Sequence, residues 1–379
     1  MFYKHFFNFC LIFVSFVEIF VEIFWNKYSC IKIAEIAQNW GMEKYLYNQT
    51  IFFRNCPKII GNFSVVGPKE GQGNFGEFFD MVLEDDRFGE ETYEKAERKM
   101  IEKAFLGAIN KAKLKKHDIN IFLAGDLLNQ IISSSYAARS FDTPYAGVFG
   151  ACSTMAESLA IGAAFVDGGY FQNVACATGS HFSTAERQFR FPLELGNQRP
   201  PTSQWTCTAS ACSILSLSGK GPCITSATFG KVTDYGVRDV NNFGGIMAPA
   251  AANTLLAALY DTKTTPEDFD LIITGDLGKL GSEILLDLME RRGVKLDQNY
   301  CDCGQMMFSL SQQPLMGGSG CGCCASFLNS VLVNQMKKGV FKKVLFVATG
   351  ALLSTTSSQQ GDTLPAIAHA VVIENNFQK

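Results

Sequence analysis

Excess positive charge is the first thing this chain lacks: 33 Lys and Arg stand against 36 Asp and Glu among 379 residues, a net charge of -3. Proteins that grip nucleic acid through its phosphates carry a basic footprint, so nucleic acid is not an expected partner. The C-x2-C pairs of ordinary zinc sites are missing as well. Of the thirteen cysteines, Cys301–Cys303 read C-x-C and Cys321–Cys324 read C-x-C-C, so structural cysteine is expected rather than a metal site. The glycine-rich run GPKEGQGNFG (67–76) lacks both the Lys-Ser/Thr ending of a phosphate loop and the spacing of a dinucleotide turn. It reads as a flexible loop, and no cofactor is implied. A short secreted disulfide framework is excluded by length, and most cysteines lie in apolar or Gly-rich segments, which favours a reducing compartment.

Apolar residues are abundant, at 47% of the chain, enough for one large α/β domain or two fused ones. The first 41 residues differ in kind. FFNFCLIFVSFVEIFVEIFW has the length of a membrane span, but Glu18 and Glu22 are costly in hydrocarbon and no small-residue cleavage site follows. Residues 1–41 are therefore expected to be a mis-assigned start, with a membrane anchor as the second reading, because a globular pattern opens at Met42.

From there the chain repeats itself. INIFLAGDLL (119–128) and FDLIITGDLG (269–278) are β-rich runs ending in Gly-Asp-Leu, each after a helical segment. Downstream, 152–180 aligns without a gap to 323–351 at an offset of 171, pairing Gly168 with Gly339 and Ala177-Thr178-Gly179 with Ala348-Thr349-Gly350. Each copy reads as helix, glycine turn and apolar strand, which implies right-handed crossovers in a largely parallel sheet. Two halves are expected, 42–240 and 241–379, the first carrying an insertion around 181–205.

This duplicated βαβ plan, with a cysteine at the first-half strand-to-helix turn and a Gly-Ser-rich turn at the matching place, resembles the thiolase and ketoacyl synthase fold. That fold has two pseudo-symmetric βαβαβ halves in a layered αβαβα arrangement. LAGDLLNQ, FGACST, TAERQFR, ITSATFGKV, MAPAAANT, GGSGCGCC and FVATGALLS together resemble the stage V sporulation protein AD family over Met42 to the C terminus. The resemblance implies a thiolase-like protein that is not an enzyme and that binds dipicolinic acid, alone or as its calcium complex. It further implies transport of that acid into the developing spore and a link to germination. The implied partners are other stage V sporulation A membrane proteins, and the implied place is peripheral, at the spore inner membrane, with a cytoplasmic phase before assembly. A homodimer is implied by the fold.

The residues carry a site hypothesis of their own. Cys152 would open a helix, where unpaired N–H groups favour a thiolate; the alternative is a small residue packed between the halves. Thiolases hold a histidine in a Gly-His-Pro segment, and Gln313 stands where it would be. The second thiolase cysteine is missing at VATGALLS. Cys152 is thus expected to be a vestigial nucleophile position. Helix openings near Cys152 and Cys323, with the turn at Gly318 and Ser319, would offer N–H groups to an anion. His181, Arg187 and Arg190 are further candidate donors, although either arginine could instead pair with Glu186 or Glu194. Asn129 and Gln130, at a strand's C-terminal end, suit either ligand contact or helix capping. Asp126 and Asp276, as repeat mates, are expected to share a capping role. A Cys152-dependent acyl transferase and a membrane-complex scaffold without a small ligand remain open as alternatives.

Overall fold

Alternation decides which way each strand faces. Val344, Phe346 and Ala348 pack into one apolar cluster while Leu345 and Val347, between them, pack into another. Val174 and Cys176 likewise share the first cluster, while Ala175 and Ala177 join a third. A strand buried on both faces reads as a continuous apolar run, and these do. In this computed structural model, residues 49–189 and 199–375 are described; the N-terminal extension, the Met42 boundary and Arg190 lie outside them.

The first set of strands is β1 (Lys58–Val66), β2 (Ile121–Asp126), β3 (Tyr145–Gly147), β4 (Asn173–Ser180) and β5 (Ala209–Ser216). The second is β6 (Cys223–Phe229), β7 (Leu271–Thr274), β8 (Tyr300–Asp302), β9 (Lys343–Ala351) and β10 (Ala366–Glu374). They run in the order β8-β7-β9-β10-β6-β1-β5-β4-β2-β3. Within each set, four strands run one way and one, β5 or β10, runs against them, in mirrored order about the β1–β6 seam. The seam is one residue pair, Lys58 with Cys223. Because β6 stands with the second set, the chain crosses between sets at 217–222, earlier than the position near 240 read from the sequence.

Helix α1 (Tyr93–Lys111) is capped by Thr92, whose side chain accepts from the Lys95 N–H, and it buries Ala96, Met100, Ala104 and Ala108 at helical spacing on the first set. After β4 comes α3 (Phe182–Phe189), and helices α4 (Phe243–Thr262) and α5 (Gly278–Glu290) cover the second set through Ile246, Leu255 and Leu285. By length and apolarity α4 meets the test for a membrane span, but here it is a mostly buried core helix. Between the sets lie α2 (Thr154–Asp167) and α6 (Cys321–Phe327), which runs on through a wider turn at Leu328–Leu332 into Val333–Lys337. Their residues, from Met155 and Leu159 to Phe327 and Leu332, form the central cluster with the inner strand faces. This is the αβαβα layering. Small residues let α2 fit: a Cβ on Gly162 would stand 2.6 Å from Cys176 Sγ. Gly162→Val should lower stability by about 1–3 kcal/mol through overpacking, read as a reduced urea midpoint.

The internal repeat is real, with a register one residue from the sequence alignment. Gly169 and Gly339 are the pair that takes positive φ, +74° and +79°, after the helix. The strand faces agree, since Val174 matches Val344 at an offset of 170. A shift of one would turn every side chain of a strand to the opposite face, so the layers exclude it.

Cys56 and Cys223 are joined by a disulfide, Cα–Cα 5.4 Å, across 167 residues of sequence. One bridge does not make a disulfide framework, but it runs against the reading of a reducing compartment; it can form because β1 and β6 meet in space although they are distant in the chain. Cys223→Ser should cost about 2–4 kcal/mol, seen as a lower urea midpoint relative to unreduced wild type. Equal midpoints would show that the bridge does not form.

Candidate functional site

After β3 the chain turns sharply into α2. Ala151 takes φ +49°, and the turn is locked by its own hydroxyls: Ser153 Oγ donates to Gly150 O at 2.7 Å, and Thr154 Oγ1 donates to Ala151 O at 2.7 Å while accepting from the Gly150 N–H at 3.1 Å. The end of β9 presses on this turn from the other half. A Cβ on Gly350 would lie 2.1 Å from Gly150 O, so only glycine permits the approach. Cys324 Sγ donates to Cys152 O at 3.6 Å, and Ser319 Oγ stands 3.8 Å from Cys152 Sγ. Ser319 belongs to a short parallel ribbon in which Gly318–Ser319 pairs with Trp205–Thr206.

These elements enclose a pocket of about 430 Å³ including its open mouth. Phe149, Phe189, Phe243, Leu127 and Leu353 form apolar walls, and Cys152, Thr206, Ser319 and Gly320 form a more polar end. Among the described residues, none that lines it is a histidine or carries a charge.

Burial controls the electrostatics. It pushes the Cys152 thiol well above the usual range, and the nearby Asp276 carboxyl adds to the shift. Asp276 is fully buried at φ +69°, and among the described residues neither carboxyl oxygen has a hydrogen-bond partner of normal geometry; the thiols of Cys324 and Cys323 face it. Burial, then Asp302, raises its pKa as well, so desolvation favours the neutral form of both groups. A helix opening alone predicted a more acidic Cys152; desolvation outweighs it.

Asp126 and Asp276, repeat mates in sequence, have different jobs. Asp126 accepts from the N–H groups of Leu128 (2.9 Å) and Ser134 (2.7 Å), tying the turn after β2 to the next helix. In the second half that work falls to Asp302, which accepts from the N–H groups of Leu277, Gly278 and Gln305 and from Thr274 Oγ1. Asp302→Ala should cost about 3–5 kcal/mol by orphaning four donors, measurable by chemical denaturation.

Of the sequence candidates, Cys152 and Ser319 line the pocket. Gly318 supports the ribbon and accepts from Gln204 Nε2, while Cys323 is fully buried toward Cys207 and Asp276. In the 170 register Cys323 matches Ser153 rather than Cys152, since Cys323 and Ser153 donate their N–H groups to Gly320 and Gly150 respectively. His181 is buried with both ring nitrogens engaged: Nδ1 accepts from the Ser183 N–H at 3.1 Å, leaving Nε2–H to donate to Asp86 O at 2.8 Å. Burial lowers its pKa, so it is a neutral structural group rather than a donor in the pocket. Arg187 pairs with Glu94 at 3.0 Å. Asn129 and Gln130 are exposed outside the lining. Gln313 is exposed at φ +50° and also outside it. Sequence reasoning missed Phe149, Phe189, Phe243 and Thr206. Phe149 flanks the Cys152 turn and was within reach of inspection; the others come from distant segments.

Comparison with known proteins agrees with this geometry. The family model of stage V sporulation protein AD matches residues 47–374. Stage V sporulation protein AD of Bacillus subtilis (strain 168) is 41% identical over 334 residues, covering 88% of this chain and 97% of that protein. Among solved structures, 3-oxoacyl-[acyl-carrier-protein] synthase III from Aquifex aeolicus is similar at 15% identity and TM-score 0.51, covering 84% of this chain and 99% of its own. A single-residue variant of OleA from Xanthomonas campestris is similar at 12% and 0.54, covering 85% and 99%. Human mitochondrial 3-ketoacyl-CoA thiolase is similar at 11% and 0.52, covering 84% and 98%. At such identities the structural likeness speaks for the fold alone. The chain belongs to the stage V sporulation protein AD family and is built on the thiolase-like fold.

Proposed function

We propose that this protein binds dipicolinic acid in the Cys152 pocket, without catalysing a reaction on it, and serves its movement into the developing spore. The observation that carries the reading is a pocket whose lining, among the described residues, holds a protonated thiol but no base to activate it. Three phenylalanines suit a flat ring, and the polar end at Cys152, Ser319 and Gly320 suits a carboxylate. Calcium accompanies the ligand only as its complex. The partners in this reading are other stage V sporulation A membrane proteins, met peripherally at the spore inner membrane after a cytoplasmic phase. Homodimerisation and a link to germination belong to the same reading.

Calorimetric titration of dipicolinate into the full chain, beside Cys152→Ala and with pyridine-2-carboxylate as control, tests it. Saturable binding that needs both carboxylates and weakens in the variant supports the reading. Absence of binding at any accessible concentration rejects it.

The apolar walls favour one second reading, an acyl-transferring enzyme using Cys152. It requires rapid loss of one thiol to an alkylating reagent, with protection by an acyl thioester. The raised Cys152 pKa leads to the opposite expectation: alkylation of the native protein at pH 7 should be at least about tenfold slower than for a free thiol.

A further inference from the structure

The pocket lies at one end of the strands of both sets. Leu127 follows the end of β2, Cys152 follows β3 and Ala351 ends β9, and all three line it. The other strand ends therefore lie on the opposite side of the molecule, and there they form one unbroken row. Asn173 stands opposite Ser216, Ser216 opposite Lys58, Lys58 opposite Cys223, Cys223 opposite Glu374, and Glu374 opposite Lys343. The row extends to β2, where the Asn120 N–H donates to Asn173 O, and to β7, where the Asp270 N–H donates to Lys343 O. At a strand spacing of about 4.8 Å it is roughly 34 Å long.

Four connections project from this row: 111–118, 168–172, 217–222 and 338–342. Together they hold seven lysines against one acid, Asp118, in a chain whose net charge is -3. Lysine near a helix C terminus complements the dipole, but only within the last turn. Lys113, Lys115, Lys116, Lys220 and Lys342 lie beyond it. The acids within reach are already engaged. Asp118 accepts from the Lys115 N–H at 2.7 Å, Asp270 accepts from the N–H groups of Lys342 and Lys343, Glu374 lies 3.7 Å from Lys343 Nζ, and Asp80 holds Lys111. Among the described residues, Lys113, Lys116, Lys220, Lys338 and Lys342 have no acidic partner. The excess stops at Lys263, which shares its connection with Glu267 and Asp268.

The same connections expose apolar side chains. Tyr170 is 77% exposed, Val340 57% and Leu217 38%; the first two are repeat mates that follow the positive-φ glycines 169 and 339. Singly such residues need no explanation, but three on adjacent loops of one row do. A protein partner would be expected to meet a contiguous apolar core and arginine, whereas lysine is depleted at protein interfaces. All seven cations are lysine. Flexible point charges on separate loops, with a tyrosine and two aliphatic tips between them, suit a fluid anionic surface that has no fixed geometry.

We propose that the connections 111–118, 168–172, 217–222 and 338–342 form a docking face for an anionic phospholipid bilayer. The lysines lie over the headgroups, Tyr170 and Val340 enter the interface, and the pocket is turned away from the membrane. This deepens the peripheral membrane placement proposed above and needs neither the pocket's ligand nor a membrane protein.

The test is flotation of the full chain with vesicles of phosphatidylglycerol and phosphatidylcholine in equal parts, and with phosphatidylcholine alone. Wild type should partition at least about tenfold better onto the anionic vesicles and lose that advantage when salt is raised from about 0.1 M to about 1 M. Lys338→Gln with Lys342→Gln should partition about tenfold less, and adding Lys116→Gln and Lys220→Gln at least about thirtyfold less. Tyr170→Ser with Val340→Ser should also lose about tenfold. Lys231→Gln with Lys279→Gln, a charge-matched change beyond the opposite ends of β6 and β7, should stay within about twofold of wild type. Each variant is checked for an unchanged thermal midpoint. Equal flotation with both vesicle types, or flotation that the four-lysine variant retains, overturns the face. So does absence of flotation with pure lipid; if the protein then floats only with vesicles rebuilt with membrane proteins of the sporulating cell, the peripheral placement stands without the lipid face, and if it floats with neither, both fail.

Discussion

Phenylalanine in place of Ala351 should abolish dipicolinate binding, by at least about a hundredfold, while the protein remains folded. Ala351 ends β9 and lines the pocket opposite the α2 turn, so added volume there enters the space meant for the ligand. A flat ring has little freedom between Phe149, Phe189 and Phe243, and a fourth aromatic ring would take its place rather than pack beside it. Titration calorimetry reads the loss, and circular dichroism with a thermal scan shows whether the fold survives. A folded variant with unchanged affinity would remove this pocket from the proposed function. Ala351→Ser, close to isosteric, should bind within a few fold of wild type.

Glu70→Gln should change how stability responds to pH. Glu70 is fully buried, which pushes its pKa up to about 8, against the lowering effect of N–H groups including that of Thr208. The folded state therefore holds this proton more tightly than the unfolded chain, where the group titrates near 4.5. Its contribution to stability is complete below about pH 4.5, declines as pH rises toward 8, and is level beyond. The decline amounts to roughly 5 kcal/mol. Glutamine keeps the acceptor for Thr208 and removes the titration. The variant should match wild type near pH 4.5 and exceed it by several kcal/mol at about pH 8.5, in urea melts at the two pH values. Parallel curves for the two proteins would show that Glu70 ionises in the folded state as it does in water.

Much of the fold was legible without coordinates. The Gly-Asp-Leu strand ends, the glycine turns and the paired apolar strands announce a duplication, because each half must build the same buried parallel strands from the same short apolar runs. Register was not legible. Ala177-Thr178-Gly179 aligns by identity with Ala348-Thr349-Gly350, but facing in a sheet is a matter of parity, and parity is settled by which cluster each side chain enters. Asp276 shows the same limit. Its motif matches that of Asp126, yet the capping work passed to Asp302, and Asp276 was left buried against thiols.

The site divides in the same way. Cys152 and Ser319 could be found because a small residue at a strand-to-helix turn and a Gly-Ser-rich turn leave a local signature. His181, Arg187, Asn129 and Gln130 looked equally suitable, but hydrogen bonding and ion pairing are satisfied by whatever lies nearest in space. For His181 that was Asp86, and for Arg187 it was Glu94. The walls of the pocket join residues more than a hundred positions apart. The sequence by itself determined the duplicated α/β plan, the family and the turn that presents Cys152, since each rests on short-range pattern. Only the tertiary structure decided register, the protonation of the buried acids and thiols, and which side chains share the pocket, because those depend on desolvation and proximity, and distance along the chain encodes neither.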